Sequence, residues 1–155
     1  MKTIVCERPL HLAVHERPIP LRGPGEVLVR IRRVGICGTD YHIFGGNQPY
    51  LSYPRVMGHE LAATVEEADA DADLAPGDVV TILPYLACDE CIACRRGKPN
   101  CCTHLQVLGV HRDGGMAEYL PYRARPSFQC RTCRWTKLRW WSSWRSAPMR
   151  SAAPA

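Results

Sequence analysis

Residues 88–102 read CDECIACRRGKPNCC and place cysteines at positions 88, 91, 94 and 102. Four thiolates in one short loop repel each other and oxidise unless a soft cation binds them, and tetrahedral Zn²⁺ with four sulfur ligands is the usual solution. Arg95, Arg96 and Lys98 follow the first three cysteines and would offset the negative charge left by four thiolates around one Zn²⁺. The spacing therefore predicts a structural zinc site formed by Cys88, Cys91, Cys94 and Cys102.

A pair of disulfides is the alternative for the same cysteines. Disulfides need an oxidising compartment, and residues 1–12 lack the long apolar run of a secretory signal. A run of eighteen apolar residues, which could span a membrane, is also missing from the sequence. We therefore favour zinc over disulfides and expect a cytoplasmic protein without a membrane segment.

The composition of the chain changes sharply near residue 122. Residues 1–122 contain 12 Lys and Arg against 15 Asp and Glu, whereas residues 123–155 contain 8 Lys and Arg and no acid. All four tryptophans also lie in the second segment. A chain of this length can form one domain with a hydrophobic core. The break predicts a domain over residues 1–122 and a disordered or poorly packed basic tail over residues 123–155.

The first segment has the pattern of a mainly-β domain. Val27, Val29 and Ile31 alternate with other residues as in a half-buried strand, and a Gly-Pro turn precedes them. Residues 61–66 are another candidate strand, and residues 76–82 repeat the pattern of a turn, here Pro-Gly with an acid, followed by a β-branched run. Short strands without a long amphipathic helix predict a small barrel or sandwich. The dinucleotide-binding pattern Gly-x-Gly-x-x-Gly is missing, because the glycines of residues 109–115 have the wrong spacing.

A second group of metal-ligating residue types lies upstream of the four-cysteine loop. Residues 35–42 read GICGTDYH and place Cys37 in a glycine-flanked turn, and residues 58–60 read GHE. Alone, Cys37 could be a small buried residue, His59 an ordinary polar residue and Glu60 a surface charge. Cysteine and histidine beside a carboxylate are also typical of an open zinc site. With the four-cysteine loop present, we predict a second metal site.

These motifs, in this order with PGDVV at residues 76–80, resemble the zinc-dependent medium-chain alcohol and polyol dehydrogenases over about residues 1–122. Residues 109–119 are similar to the turn and strand that follow the zinc loop in that family. The resemblance implies a GroES-like β-barrel catalytic domain. The Gly-Thr-Asp form of the first motif is closer to sorbitol-, threonine- and sugar-acid-type dehydrogenases than to simple alcohol dehydrogenases.

The resemblance also implies roles for the residues around Cys37. Cys37 and His59 would ligate a catalytic zinc, and Glu60 would lie beside it, either as an alternative ligand or next to the ligands. Since the family has a further ligand after this segment, the catalytic zinc site of this chain would be a partial one. Asp40 would accept a hydrogen bond from the His59 imidazole and fix its tautomer.

Proton transfer and hydride transfer complete the implied chemistry. Thr39 would accept the proton of the substrate hydroxyl, and His42 would pass it towards solvent. NAD(P) would take the hydride from a small alcohol, polyol or sugar acid, bound to a separate Rossmann domain. We expect that domain to be absent from these 155 residues, so that the chain is inactive alone. A homo-oligomer is expected only for a full-length form.

The tail departs from the family at residues 123–155. Reading GC-rich codons for residues 129–155 in a shifted frame gives VPDVPLDEAAVVEFLAISAHAVRRA, which is similar to the family and includes a glutamate resembling the polyol branch's extra zinc ligand. We therefore predict a frame change near residues 121–128, which truncates the family sequence. Under this interpretation the pair Cys130 and Cys133 is not a redox motif. Cys101 is expected to be a bystander, and Cys6 to be buried.

Two other functions are possible for the same residues. A zinc knuckle with a basic, tryptophan-rich arm would suit a nucleic-acid-binding module, but the frame change explains the arm without any function, and we do not expect nucleic acid as a partner. A zinc-free quinone-reductase-like protein or a GroES co-chaperonin would generally lack Cys37 and the four-cysteine loop, so both are set aside.

Overall fold

The computed structural model describes residues 1–70 and 72–123, and most of their regular structure is strand. The strands are β1 (Lys2–Arg8), β2 (His11–Glu16), β3 (Val27–Gly35), β4 (Arg55–Val56), β5 (Glu60–Glu67), β6 (Val79–Ile82), β7 (Tyr85–Leu86), β8 (Gln106–Val107) and β9 (Tyr119–Tyr122). The helices are α1 (Gly38–Phe44) and α2 (Ile92–Arg95), and a 3-10 turn covers Pro99–Cys101. The expectation of a mainly-β fold is confirmed.

The larger sheet has the antiparallel strand order β6-β5-β3-β9. Along β5, Leu61, Ala63 and Val65 are buried while the residues between them are only half-buried. This two-residue period is what a strand needs when one of its faces packs on a core. Val29 of β3 and Ile82 of β6 join the same buried cluster. The main core of the domain therefore lies on one face of this sheet.

The smaller sheet has the order β2-β1-β4 and is joined to the larger sheet through residues 116–118. Ile4 of β1 donates its backbone N–H to the carbonyl of Met116 at 2.8 Å, and Ile31 of β3 donates to the carbonyl of Glu118 at 2.9 Å. A third pair, β7 and β8, aligns Tyr85 with Val107 and closes residues 87–105 into a loop. The predicted cysteine site lies in that loop.

A short helix stands where the sequence predicted a turn around Cys37. Helix α1 begins at Gly38 because Cys37 and Asp40 form a capping box, in which each satisfies a backbone N–H of the other. Ile43 is fully buried, and it packs with Met57 and Val110 in a second, smaller core. A helix of seven residues is not stable on its own, so this packing is what stabilises α1.

No helix within the described residues is both long and apolar enough to cross a bilayer. The predictions for residues 124–155, which include the tail and the pair Cys130 and Cys133, lie outside the described residues. The domain boundary at residue 122 stays a prediction.

Candidate metal centres

The pairing of β3 with β5 brings Cys37 and His59 together. Gly35 at the end of β3 is opposite Glu60 at the start of β5. Cys37 follows Gly35 by two residues and His59 precedes Glu60 by one, so both side chains lie at the same end of the strand pair. The Cys37 Sγ is 2.9 Å from the His59 Nε2. Residues 22 positions apart in the sequence therefore form one site.

The Cys37 thiol is oriented by the first turn of α1. Its sulfur accepts a hydrogen bond from the Thr39 backbone N–H at 3.3 Å, and the Cys37 N–H donates to Asp40 Oδ2 at 3.0 Å. The first bond fixes the position of the sulfur, and the second fixes the backbone that carries it. The capping box thus fixes the sulfur at the site without an additional residue.

Asp40 has a different partner from the one expected. Its carboxylate is 2% exposed and accepts from the backbone N–H groups of Cys37 and Gly58, the latter at 3.3 Å. The expected Asp40–His59 hydrogen bond is not formed, because His59 Nδ1 is 3.9 Å from Asp40 Oδ1. Within the described part of the chain, this buried Nδ1 has no hydrogen-bond partner. Asp40 therefore holds the two backbone segments of the site together.

Glu60, Thr39 and His42 surround this pair in different ways. The Glu60 side chain lies over Gly35, where an added Cβ would be 2.4 Å from Glu60 Oε2. Its carboxylate is not part of the ligand group, which consists of Cys37, Asp40 and His59 among the described residues. Thr39 is half-buried in the first turn of α1, and His42 is exposed in its last turn.

The residues around Cys37 fit a metal ion by their chemistry and by their proximity. One sulfur, one imidazole nitrogen and one carboxylate oxygen all lie within 4.8 Å of one another. A tetrahedral Zn²⁺ with Zn–S of about 2.3 Å and Zn–N of about 2.1 Å would separate sulfur and nitrogen by about 3.6 Å. The observed 2.9 Å is a hydrogen-bond distance. Loading the site would therefore open the Cys37–His59 pair by a fraction of an ångström.

Three glycines allow the chain to pack tightly behind His59. This role was not predicted from the sequence. Gly58 has φ of 89°, a conformation that favours glycine. A Cβ at Gly114 would lie 2.3 Å from the Gly58 carbonyl oxygen, and one at Gly109 would lie 3.0 Å from the Gly58 nitrogen. The glycine-rich pattern of residues 109–115 was the signal for this close backbone approach, but it did not say which segment is approached.

The four cysteines of the loop converge as their spacing predicted. Their sulfur atoms all lie within 4.8 Å of one another, and those of Cys88 and Cys102 are 3.5 Å apart. The edge of a ZnS₄ tetrahedron is about 3.8 Å with Zn–S of about 2.3 Å, whereas a disulfide requires about 2.05 Å. All described cysteines are free thiols. The geometry fits the zinc interpretation better than disulfides for Cys88, Cys91, Cys94 and Cys102.

The electrostatics of the loop also suit a metal ion. Backbone hydrogen bonding, chiefly from Cys94, lowers the pKa of the Cys91 thiol to about 5, while desolvation raises the pKa of Cys94 to about 12. Hydrogen bonding, chiefly from the Glu90 backbone, lowers the pKa of Cys88. The side chain of Cys88 in turn raises the pKa of His104. The free loop thus has one cysteine, Cys91, that ionises easily, and another, Cys94, that stays protonated until a cation binds.

Among the described residues, two further cysteines lie apart from both groups. Cys101 is exposed in the 3-10 turn and is not part of the four-sulfur group. Cys6 is fully buried beside Ile43 in the smaller core, as expected.

Comparison with known proteins agrees with this geometry. The family model of the alcohol dehydrogenase GroES-like domain matches residues 23–134. L-galactonate-5-dehydrogenase of Escherichia coli K12 is 48% identical over 121 residues, which are 77% of this chain and 36% of that protein.

Solved structures show the same relationship. An alcohol dehydrogenase of E. coli CFT073, solved with NADH, has a TM-score of 0.73 and 41% identity, and the match covers 84% of this chain and 38% of that one. Galactitol-1-phosphate dehydrogenase of E. coli has a TM-score of 0.72 and 34% identity, covering 83% and 38%. The chain thus spans well under half the length of each of these relatives. The expected GroES-like fold is confirmed.

Proposed function

The chain belongs to the zinc-dependent medium-chain alcohol and polyol dehydrogenases, and on that premise we propose that residues 1–122 form the catalytic domain of an NAD(P)-dependent dehydrogenase. The observation that supports this proposal most strongly is the 2.9 Å approach of Cys37 Sγ to His59 Nε2. These two ligand atoms come from separate elements, and a buried carboxylate lies beside them. Such a group at the end of a strand pair is well suited to an open metal site.

Cys37 and His59 are the proposed ligands of the catalytic zinc. When bound, Zn²⁺ lowers the pKa of a coordinated alcohol and so favours the alkoxide from which hydride can leave. Asp40 keeps the Cys37 and Gly58 backbones in place through its two hydrogen bonds. Glu60 could become a further ligand only after its side chain leaves its place over Gly35.

Thr39 and His42 are the proposed proton carriers. Thr39 is the residue two positions after Cys37, and its hydroxyl would accept the proton of the substrate hydroxyl. His42 is exposed one helical turn further on, where its imidazole can exchange a proton with solvent. Thr39 and His42 therefore follow each other from the half-buried Cys37–His59 pair to the surface of the domain.

The four-cysteine loop is the proposed structural zinc site. Four sulfur ligands leave no open coordination position for a substrate, which distinguishes this site from the one at Cys37. Neither described core cluster includes a residue of loop 87–105, and Cys102 is the only cysteine of the four that is buried. A bound ion would therefore supply much of the energy that holds this loop in one conformation.

The substrate class and cofactor are proposed from the relatives. The family acts on small alcohols, polyols and sugar acids, and L-galactonate-5-dehydrogenase is the relative given above with 48% identity. NADH is bound in one of the solved relatives. We propose a polyol or sugar acid as substrate and NAD(P) as hydride acceptor. We further propose a cytoplasmic location, which would keep the free thiols reduced, and a homo-oligomeric full-length form.

Zinc stoichiometry tests this proposal on the chain itself. We expect the purified protein to bind two zinc ions, and Cys37→Ser and His59→Ala each to reduce this to one. Cys101→Ser is the matched control, because Cys101 is an exposed cysteine outside both groups, and it should retain both ions. If Cys37→Ser still binds two zinc ions, the proposed catalytic site is contradicted.

Activity can be tested in a chimera. Residues 1–122 would replace the matching segment of the E. coli L-galactonate-5-dehydrogenase, to which this chain is 48% identical over 121 residues. We expect NAD(P)H formation from L-galactonate, which Cys37→Ser abolishes and Cys101→Ser leaves intact. A chimera that binds two zinc ions but shows no turnover would refute the catalytic assignment of this domain.

A further inference from the structure

An exposed acid, Asp113, contacts the chain segment that leads into the zinc ligand His59. Asp113 lies in the turn before β9, and its side chain is 50% exposed. Its Oδ1 accepts a hydrogen bond from the backbone N–H of Val56 at 3.1 Å. Val56 is 2% exposed and ends β4, and only Met57 and Gly58 separate it from His59. Asp113 is therefore more than a solvated surface charge, because one of its oxygens satisfies a buried backbone donor.

The segment from Val56 to Gly58 is held by the same turn along its whole length. Its three carbonyl oxygens accept from backbone N–H groups of the turn, in the pairs Val56–Gly114 at 2.7 Å, Met57–Met116 at 3.0 Å and Gly58–Gly115 at 2.8 Å. At the far end of the segment, Asp40 Oδ1 accepts from the Gly58 N–H at 3.3 Å. Two side-chain carboxylates, Asp113 and Asp40, thus hold the first and the last N–H of the segment that precedes His59.

Two arginines approach the same carboxylate of Asp113. Arg55 Nη1 is 3.5 Å from Oδ1, and Arg17 Nη1 is 3.4 Å from Oδ2. Both distances are longer than the roughly 2.7–2.9 Å of a strong charge-assisted hydrogen bond. The Arg17 side chain is 41% exposed, and exposed ion pairs contribute little to stability. The Val56 N–H, and not either arginine, is therefore the contact through which Asp113 can act on the zinc site.

We propose that Asp113 is a positioning residue of the Cys37–His59 centre. Its carboxylate holds the main chain in front of His59 and so sets where the imidazole lies relative to the Cys37 sulfur. Asp113 acts through the backbone, since it belongs to neither group of metal-ligating residues. Groups that orient a metal ligand in this way affect the metal affinity without contacting the ion. This inference rests on the proposed function, because it concerns a ligand of the proposed catalytic zinc.

The test is zinc affinity of the 155-residue chain, measured by competition with a chromophoric chelator. Cys37→Ser identifies which of the two ions belongs to the Cys37–His59 centre, and the ion of the four-cysteine loop is the internal reference. Asp113→Ala removes the acceptor of the Val56 N–H. We expect it to weaken zinc binding at the Cys37–His59 centre about tenfold, the lower end of the loss usual for groups that orient a metal ligand. Binding at the loop should not change.

A conservative variant separates the hydrogen bond from the charge. Asp113→Asn keeps an oxygen that can accept from the Val56 N–H but has no charge for Arg17 or Arg55. We therefore expect it to bind zinc within about twofold of the wild type, because exposed ion pairs contribute little. Arg17→Ala is the matched control, since it removes one ion-pair partner and leaves the hydrogen bond in place. It should also retain the wild-type affinity.

Amide hydrogen exchange gives a second readout, which does not depend on the metal affinity. The Val56 N–H should exchange faster in Asp113→Ala than in the wild type, and Asp113→Asn should restore its protection. The Val65 N–H is the reference, because it donates to the Asp78 carbonyl at 2.9 Å in the larger sheet, away from the turn. Unchanged exchange at Val65 shows that the variant is folded.

The inference and the proposed function fail in different ways. If Asp113→Ala binds both zinc ions as the wild type does, Asp113 does not position His59, while the proposed function stands. The inference is also overturned if Asp113→Asn binds zinc as weakly as Asp113→Ala, because the charge and not the hydrogen bond then acts. Weaker binding of both ions with faster exchange at Val65 would show a general loss of structure instead. If Cys37→Ser still binds two zinc ions, the proposed function fails, and this inference fails with it.

Discussion

The two metal centres differ in how the chain assembles them. The four-cysteine group draws its ligands from fifteen consecutive residues in one loop, closed at its base by the short pair β7 and β8. The Cys37–His59 centre depends on the register of β3 against β5 and on a helix that Ile43 attaches to the smaller core. A local site tolerates changes elsewhere in the domain, whereas an assembled site depends on every contact that aligns its parts.

The largest expected effect comes from a matched pair of isoleucines. Ile43 is fully buried beneath α1, so Ile43→Ala should destabilise the domain by about 2–5 kcal/mol through lost burial and a cavity. Ile92 is exposed in the cysteine loop, so Ile92→Ala should change stability by less than about 0.5 kcal/mol. Urea denaturation followed by circular dichroism measures both. Equal losses would contradict the contrast between the assembled and the local centre.

A smaller effect is expected from glycines. Gly114→Ala places a Cβ against the carbonyls of Gly58 and Met57, so the backbone behind His59 must shift, at a cost of about 1–3 kcal/mol. Zinc content should fall from two ions towards one, because the four-cysteine loop is not involved. Gly38→Ala is the control, since a Cβ there meets no atom within 4 Å. If Gly114→Ala still binds two zinc ions, the close packing behind His59 is not required for zinc binding at the Cys37–His59 centre.

The smallest expected effect is the pH dependence of zinc binding by the loop. The thiol of Cys94, with its pKa raised to about 12, is protonated in the free loop at neutral pH, whereas Cys91, with its pKa lowered to about 5, is ionised. Zinc must displace the Cys94 proton, so its affinity rises with pH. Each proton that zinc displaces raises the affinity about tenfold per pH unit.

Competition with a chromophoric chelator at several pH values measures this slope in Cys37→Ser, where only the loop site remains. A slope of zero between about pH 6 and pH 8 would mean that the thiols are already ionised before the metal binds.

The sequence predicted local features well. The spacing of Cys88, Cys91, Cys94 and Cys102 was enough to predict the four-sulfur group, because its ligands are close in the chain. The alternation of residues 27–31 predicted part of β3, although the strand continues to Gly35. The motifs at Cys37 and His59 indicated a second site, and the strand register explains why they meet.

Features that depend on tertiary contacts were not predictable from the sequence. Helix α1 was expected to be a turn, because the burial of Ile43 that stabilises it involves residues far along the chain. The Asp40 carboxylate was assigned to His59, but it accepts from two backbone N–H groups instead, one of them at Gly58. The contact between Tyr50 and His111 joins segments about sixty residues apart, and no local pattern indicates it.

The contrast between the centres is tested most directly by counting bound zinc by native mass spectrometry while the wild-type chain is unfolded with urea. The local centre should retain its ion after the β-sheets that align Cys37 with His59 have melted. We predict two zinc ions in buffer and a range of urea concentrations in which one remains. Simultaneous loss of both ions, or a single ion in buffer, would contradict the account.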